Sequence, residues 1–104
     1  GACAVGPWIV VGVHEEEIRQ WTISVKILRN DQVVFRGETD INNIKRRFDE
    51  LLDYLGRSQS FPHGAMLLTG TGVVPDEDFT LAANDVVSIT ISGIGTLENP
   101  VLVV

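Results

Sequence analysis

From Trp21 to Ile27 the chain alternates without a break: Trp21, Ile23, Val25 and Ile27 fall on one face, while Thr22, Ser24 and Lys26 fall on the other. A period of two residues belongs to a strand with one covered face, and no helix can satisfy it. Arg29-Asn30-Asp31-Gln32 then supplies residues that tolerate turn dihedrals, and Val33 to Thr39 returns with high strand propensity. The two runs predict an antiparallel hairpin. Val86 to Ser92 repeats the alternation, with Val87, Ile89 and Ile91 on one side and Ser88, Thr90 and Ser92 on the other, after a turn at Ala82-Ala83-Asn84-Asp85. Leu97 to Val104, interrupted by Asn99-Pro100, reads as a last strand or edge.

Outside those strands the pattern changes. Gly1 to Gly6 is small and featureless, and Pro7 then opens Trp8 to Val13, a short buried-strand pattern. Ile41, Ile44, Phe48, Leu51, Leu52 and Leu55 recur at three- and four-residue intervals, which predicts a helix from about Ile41 to Leu55. Asp40 would cap its start and Gly56 end it, while Lys45 with Asp49 and Arg46 with Glu50 would pair across its outer face. The expected fold class is mainly β (α+β), with this one amphipathic helix packed on the sheet.

At 104 residues the chain is one domain or part of one. Hydrophobic residues are 44% against 21% charged, so a real core is expected and part of the apolar surface should be covered by a partner, most simply a second copy. A net charge of −6 argues against nucleic acid and anionic membrane as partners. The lone Cys3 excludes an internal disulfide and is expected to be a small buried hydrophobe in a reducing compartment. No apolar run approaches the roughly 18 residues of a membrane span, so the expected location is cytoplasmic.

The candidate site is Ala65-Met66-Leu67-Leu68-Thr69-Gly70-Thr71-Gly72, four apolar residues expected to form a buried central strand that empties into a threonine-glycine loop. Its hydroxyls and backbone N–H groups suit a carboxylate or phosphate. A nucleotide phosphate loop would need a helix directly after the glycines, and Val73-Val74-Pro75 forbids one. A purely structural reading, glycine for a tight bend and threonine for strand propensity, fits the local chemistry equally well. Ser92-Gly93-Ile94-Gly95-Thr96 echoes it, so two strand-to-glycine exits are expected side by side. Arg46 and Arg47 are a further candidate for anion recognition. His14-Glu15-Glu16-Glu17 and His63 read as solvated turns, and neither a catalytic residue nor a set of metal ligands can be assigned.

Three stretches in order resemble the fumarylacetoacetate hydrolase family: Ala4-Val5-Gly6-Pro7-Trp8-Ile9-Val10, Met66 to Gly72, and Asp85 to Val87 with Gly93-Ile94-Gly95-Thr96-Leu97-Glu98-Asn99-Pro100-Val101. The resemblance implies a mixed-strand β-roll in enzymes that use Mg²⁺ or a similar cation on small 2-oxo or diketo acids. It implies that Thr69, the Gly70 amide and Thr71 hold the carboxylate end of the substrate. The family's acidic metal ligands and catalytic lysine lie upstream of the Gly-Pro strand, so residues 1–104 are expected to be a partial domain, inactive by itself. The loop after Thr71 and Lys45-Arg46-Arg47 resemble members acting on 2-oxo-3-deoxy sugar acids. The competing expectation is a stand-alone binding module with a structural glycine loop.

Overall fold

The structure, a computed structural model, describes residues 3–104, so the first two residues of the small opening stretch lie outside it. Four strands, β1 (Thr22–Arg29), β2 (Gln32–Asp40), β3 (Val86–Ile91) and β4 (Gly95–Pro100), form one sheet in the order β2-β1-β3-β4. Every pairing is antiparallel, so the mixed pairing implied by the family resemblance does not occur among the described strands. A short turn of helix, α1 (Glu15–Ile18), precedes the sheet, and α2 (Phe48–Gly56) follows its first hairpin. The fold is mainly β with one main helix, as the alternation and the apolar stripe predict.

The hairpin forms where expected because Asn30 and Asp31 both take positive φ, 51° and 62°, the geometry of a tight two-residue turn. Pairing then stacks like with like: Ile23 opposes Ile91, Val25 opposes Ile89, and Ile27 opposes Val87. These cross-strand pairs make one apolar face, with Ile27 its most buried member at 3% exposure. Lys26 opposite Ser88, and Ser24 opposite Thr90, make the other face polar.

Two expected strands are missing from the sheet. Trp8 to Val13 carries no strand, and Ile9 and Val11 are each 82% exposed. Ala65 to Leu68 is likewise irregular and exposed. Both runs have strand composition, but a strand also needs a neighbour to take its backbone hydrogen bonds, and β2 and β4 remain the sheet's outer members. Cys3 is exposed rather than buried, because the opening stretch lies outside the packed part of the molecule.

Instead of joining the sheet, the segment between α2 and β3 lies over its apolar face. Gly37 makes this possible: a Cβ there would sit 2.7 Å from Val73 Cγ1, so the absent side chain is the socket into which Val73 fits. Phe79 adds a second anchor, its ring 6.0 Å from that of Phe35, whereas Leu81 is half exposed. Trp21 covers the turn between β3 and β4, where a Cβ on Gly93 would overlap the indole. That second glycine stretch is therefore a hairpin turn under a tryptophan and not a second loop beside the first.

The helix is shorter than its apolar stripe. Residues Ile41–Asn43 form a single 3₁₀ turn, Ile44 is extended, and α2 begins only at Phe48. The cause lies 25 residues earlier: Arg19 donates from Nη1 to the Ile44 carbonyl at 2.9 Å and from Nη2 to the Arg46 carbonyl at 2.8 Å. Those carbonyls are thereby held by a side chain instead of by the next helical turn. Asn42-Asn43, poor helix formers, offer little resistance. Asp40 makes no side-chain cap; Glu15, 2.9 Å from Arg19 Nε, accepts instead from the Phe48 N–H at 3.3 Å.

Candidate functional site

The Thr69-Gly70-Thr71-Gly72 loop forms one wall of a cleft of about 310 Å³. The opposite wall comes from the end of β2 and the broken helix start, with Thr39, Asp40, Asn43, Lys45 and Arg46. Ile23, Ile44 and Leu51 add apolar lining. The sequence alone singled out the loop; the structure adds Asp40, Asn43 and Lys45, which a continuous helix would have carried elsewhere. Two consecutive asparagines inside an apolar helical pattern were the available signal.

Backbone geometry explains the loop. Gly70 takes φ 87°, a left-handed conformation that suits glycine, and the chain bends two residues on, at Gly72. Thr71 Oγ1 then accepts from the Val73 N–H at 3.1 Å. That bond uses an acceptor site on the hydroxyl and leaves its O–H proton free to be donated. Gly72 lies close to β2, where a Cβ would come 3.2 Å from Thr39 Oγ1. Across the cleft, Asn43 Nδ2 donates to Thr39 Oγ1 at 2.9 Å and so keeps its amide oxygen as an acceptor.

The expected pairing of Lys45 with Asp49 does not form. Asp49 is held by Arg47, with Nε 3.1 Å from Oδ1, and this bond together with the Glu50 N–H lowers the Asp49 pKa below the ordinary carboxylate value. Arg46 pairs with Glu50 at 3.1 Å, as the helical spacing predicts. Both arginines expected to read an anion are thus engaged by carboxylates, and among the described residues no carboxylate lies within 4.0 Å of the Lys45 ammonium. His63 stands exposed in the turn before Gly64, away from the cleft lining.

Among the described residues, the one fully buried charge stands at the other end of the sheet. Asp85 has no exposed surface and receives Arg29 in a two-pronged bond, Nε to Oδ1 at 2.9 Å and Nη2 to Oδ2 at 2.8 Å. The Ala82 N–H donates to Oδ2 at 2.8 Å. The Arg29 bond first, then the Ala82 amide, hold the Asp85 pKa at about 2 against the opposing effect of burial. Arg29 also donates to the Thr80 carbonyl at 3.0 Å, so the pair ties the end of β1 to the loop entering β3. The sequence alone showed a turn here and not its ion pair.

Among the described residues no three His, Cys, Asp or Glu side chains converge as a metal site. Asp85 is saturated by its own partners, and Asp40 alone enters the cleft. These residues do not supply the donor set that a hard divalent cation requires. No described helix is long and apolar enough to cross a membrane.

The chain is 42% identical over 101 residues to 2-dehydro-3-deoxy-D-arabinonate dehydratase of Saccharolobus solfataricus, covering 97% of this chain and 34% of that protein. It is 38% identical over 102 residues to the probable 2-keto-3-deoxyxylonate dehydratase of Haloferax volcanii, covering 98% and 35%. A solved 2-keto-3-deoxy-D-arabinonate dehydratase complexed with magnesium and 2,5-dioxopentanoate superposes with a TM-score of 0.77 at 41% identity, over 85% of this chain and 32% of that one. The chain therefore spans about a third of the length of the curated relatives it matches. With residues 1–102 matching the family model for the C-terminal part of fumarylacetoacetate hydrolase, the chain belongs to the fumarylacetoacetate hydrolase family.

Proposed function

We propose that residues 1–104 are the C-terminal portion of the catalytic domain of a divalent-metal-dependent dehydratase acting on 2-keto-3-deoxy sugar acids. In this reading Thr69, the Gly70 amide and Thr71 hold the carboxylate of the 2-oxo acid. The observation that carries it is the Thr71 hydroxyl, which accepts from Val73 within the loop and so retains a donor for a ligand oxygen. Relatives named for 2-keto-3-deoxy acids support the substrate class, and the neighbour complexed with magnesium supports Mg²⁺ as the cation of the whole enzyme.

The cation's ligands and the proton-transfer groups would be supplied by parts of the enzyme outside the described residues. Bound Mg²⁺ would polarise the 2-oxo group as a Lewis acid. The work of this chain is to orient the acid: a hydroxyl and an amide fix the carboxylate, and the apolar lining from Ile23, Ile44 and Leu51 limits water beside the carbon skeleton. Exposed apolar residues such as Ile9, Val11, Leu68 and Val74 favour a chain that packs against further protein, including a second copy, in a cytoplasmic enzyme.

The test is turnover of 2-keto-3-deoxypentonates with Mg²⁺ by the 104-residue chain and by a full-length polypeptide containing it. Activity confined to the longer polypeptide is the expected result, with Thr71→Val raising KM about ten-fold. Turnover by the 104 residues alone would place the chemical centre among them and overturn the reading.

A further inference from the structure

The cleft beside the Thr69-Gly70-Thr71 loop is lined by both donors and acceptors that lie outside the loop itself. Two of its lining groups can donate: the Thr71 O–H left over from its bond to Val73, and, on the facing wall, the Lys45 ammonium, which has no carboxylate within 4.0 Å among the described residues. Two others can accept: the Asp40 carboxylate and the Asn43 amide oxygen, the latter left over when Nδ2 donates to Thr39. Lys45 reaches this position because Arg19 holds the carbonyls on either side of it, at Ile44 and Arg46. A lysine on the continuous helix predicted from the apolar stripe would have lain with Asp49 on the outer face instead.

We infer that Lys45 is a substrate-binding residue that supplies the positive charge for the acid's carboxylate, while Asp40 and Asn43 accept from its hydroxyl groups. The cleft thereby selects polyhydroxylated 2-oxo acids over plain ones. This rests on the reading of the threonine-glycine loop as the carboxylate holder and extends it to the opposite wall. A carboxylate placed between Thr71 and Lys45 gains a charge-assisted bond in a partly enclosed space, where such bonds are strongest. A hydroxyl offered to the Asp40 carboxylate satisfies a group that an aliphatic chain would strip of water without compensation.

The test uses the full-length polypeptide with Mg²⁺ and two acids, a 2-keto-3-deoxypentonate followed by KM, and 2-oxopentanoate, which has no hydroxyl to eliminate, followed by calorimetric Kd. Lys45→Met should weaken both acids about ten-fold or more, and Lys45→Arg should retain most of the affinity. Asp40→Ala should raise KM for the hydroxylated acid and spare 2-oxopentanoate. Lys26→Met, on the polar face of the sheet, is the control expected to change neither. Thr71→Val is measured alongside. If Thr71→Val weakens binding while Lys45→Met does not, the role of Lys45 is overturned and the loop keeps its own; if neither weakens it, the carboxylate site itself is elsewhere. Equal losses for both acids in Asp40→Ala would overturn the hydroxyl selection. Lys45 is exposed, so an unchanged melting temperature in its variants separates lost binding from lost folding.

Discussion

The paired strands β1 and β3 and the long segment between α2 and β3 are both rich in valine, leucine and isoleucine, and they behave in opposite ways. In the strands each apolar residue meets another across the ladder, Ile23 with Ile91 and Ile27 with Val87, while the backbone bonds are consumed by neighbours. In the segment, Met66 and Leu68 are 67% and 75% exposed, and the chain is pinned to the sheet chiefly by Val73 in the Gly37 socket and Phe79 on Phe35. Hydrophobic composition alone does not make a wall rigid; closed hydrogen bonding and side-chain opposition do. The threonine-glycine loop hangs from the less constrained of the two regions, the kind of region from which ligand-binding loops are commonly drawn.

That contrast can be broken or sharpened experimentally, and the largest effect is expected where the two regions are tied together. Arg29→Ala leaves Asp85 buried without its partner and frees the Thr80 carbonyl, so the melting temperature should fall by about 10 °C in a thermal unfolding scan. An unchanged midpoint would show that the segment is not held through this pair. Next, Gly93→Ala drives a methyl into the Trp21 indole and should cost about 1–3 kcal/mol in urea unfolding, the range for an overpacked contact. Arg19→Ala should cost about 1 kcal/mol, the scale of a lost helix-end interaction, and should speed amide exchange around Ile44 to Leu51 while β1 stays protected. The last effect is a pH dependence. Asp85 is held at about 2 in the folded chain, below its ordinary value of 3.8, so its contribution is full above pH 3.8 and is lost as pH falls from there through about 2. Unfolding followed between pH 5 and pH 2 should show this loss, and Asp85→Asn should flatten it.

How legible these features were depends on the range of the interaction. The hairpin and β3 could be read because period-two alternation is written in consecutive residues, and Asn30-Asp31 states its own turn. The glycine-threonine loop was legible as a ligand candidate for the same reason. The broken helix was not, because the residue that breaks it, Arg19, acts on Ile44 and Arg46 from beyond a hairpin. Nor was the Arg29–Asp85 pair, whose members are 56 residues apart and separately look like turn punctuation. Trp8 to Val13 and Ala65 to Leu68 misled in the opposite direction, since an apolar run states a preference for burial without naming what will do the burying. Lys45 entered the cleft only once the helix was interrupted, so its placement needed both the stripe and its failure.

The strand order carries a consequence for synthesis. Because β1 sits between β2 and β3, a nascent chain that has completed the first hairpin still presents one side of β1 bare until Ile91 has left the ribosome. The hairpin is thus a waiting template throughout translation of the helix and the glycine-threonine loop. Slow decoding across that interval would lengthen the time during which another copy's strand could take β3's place.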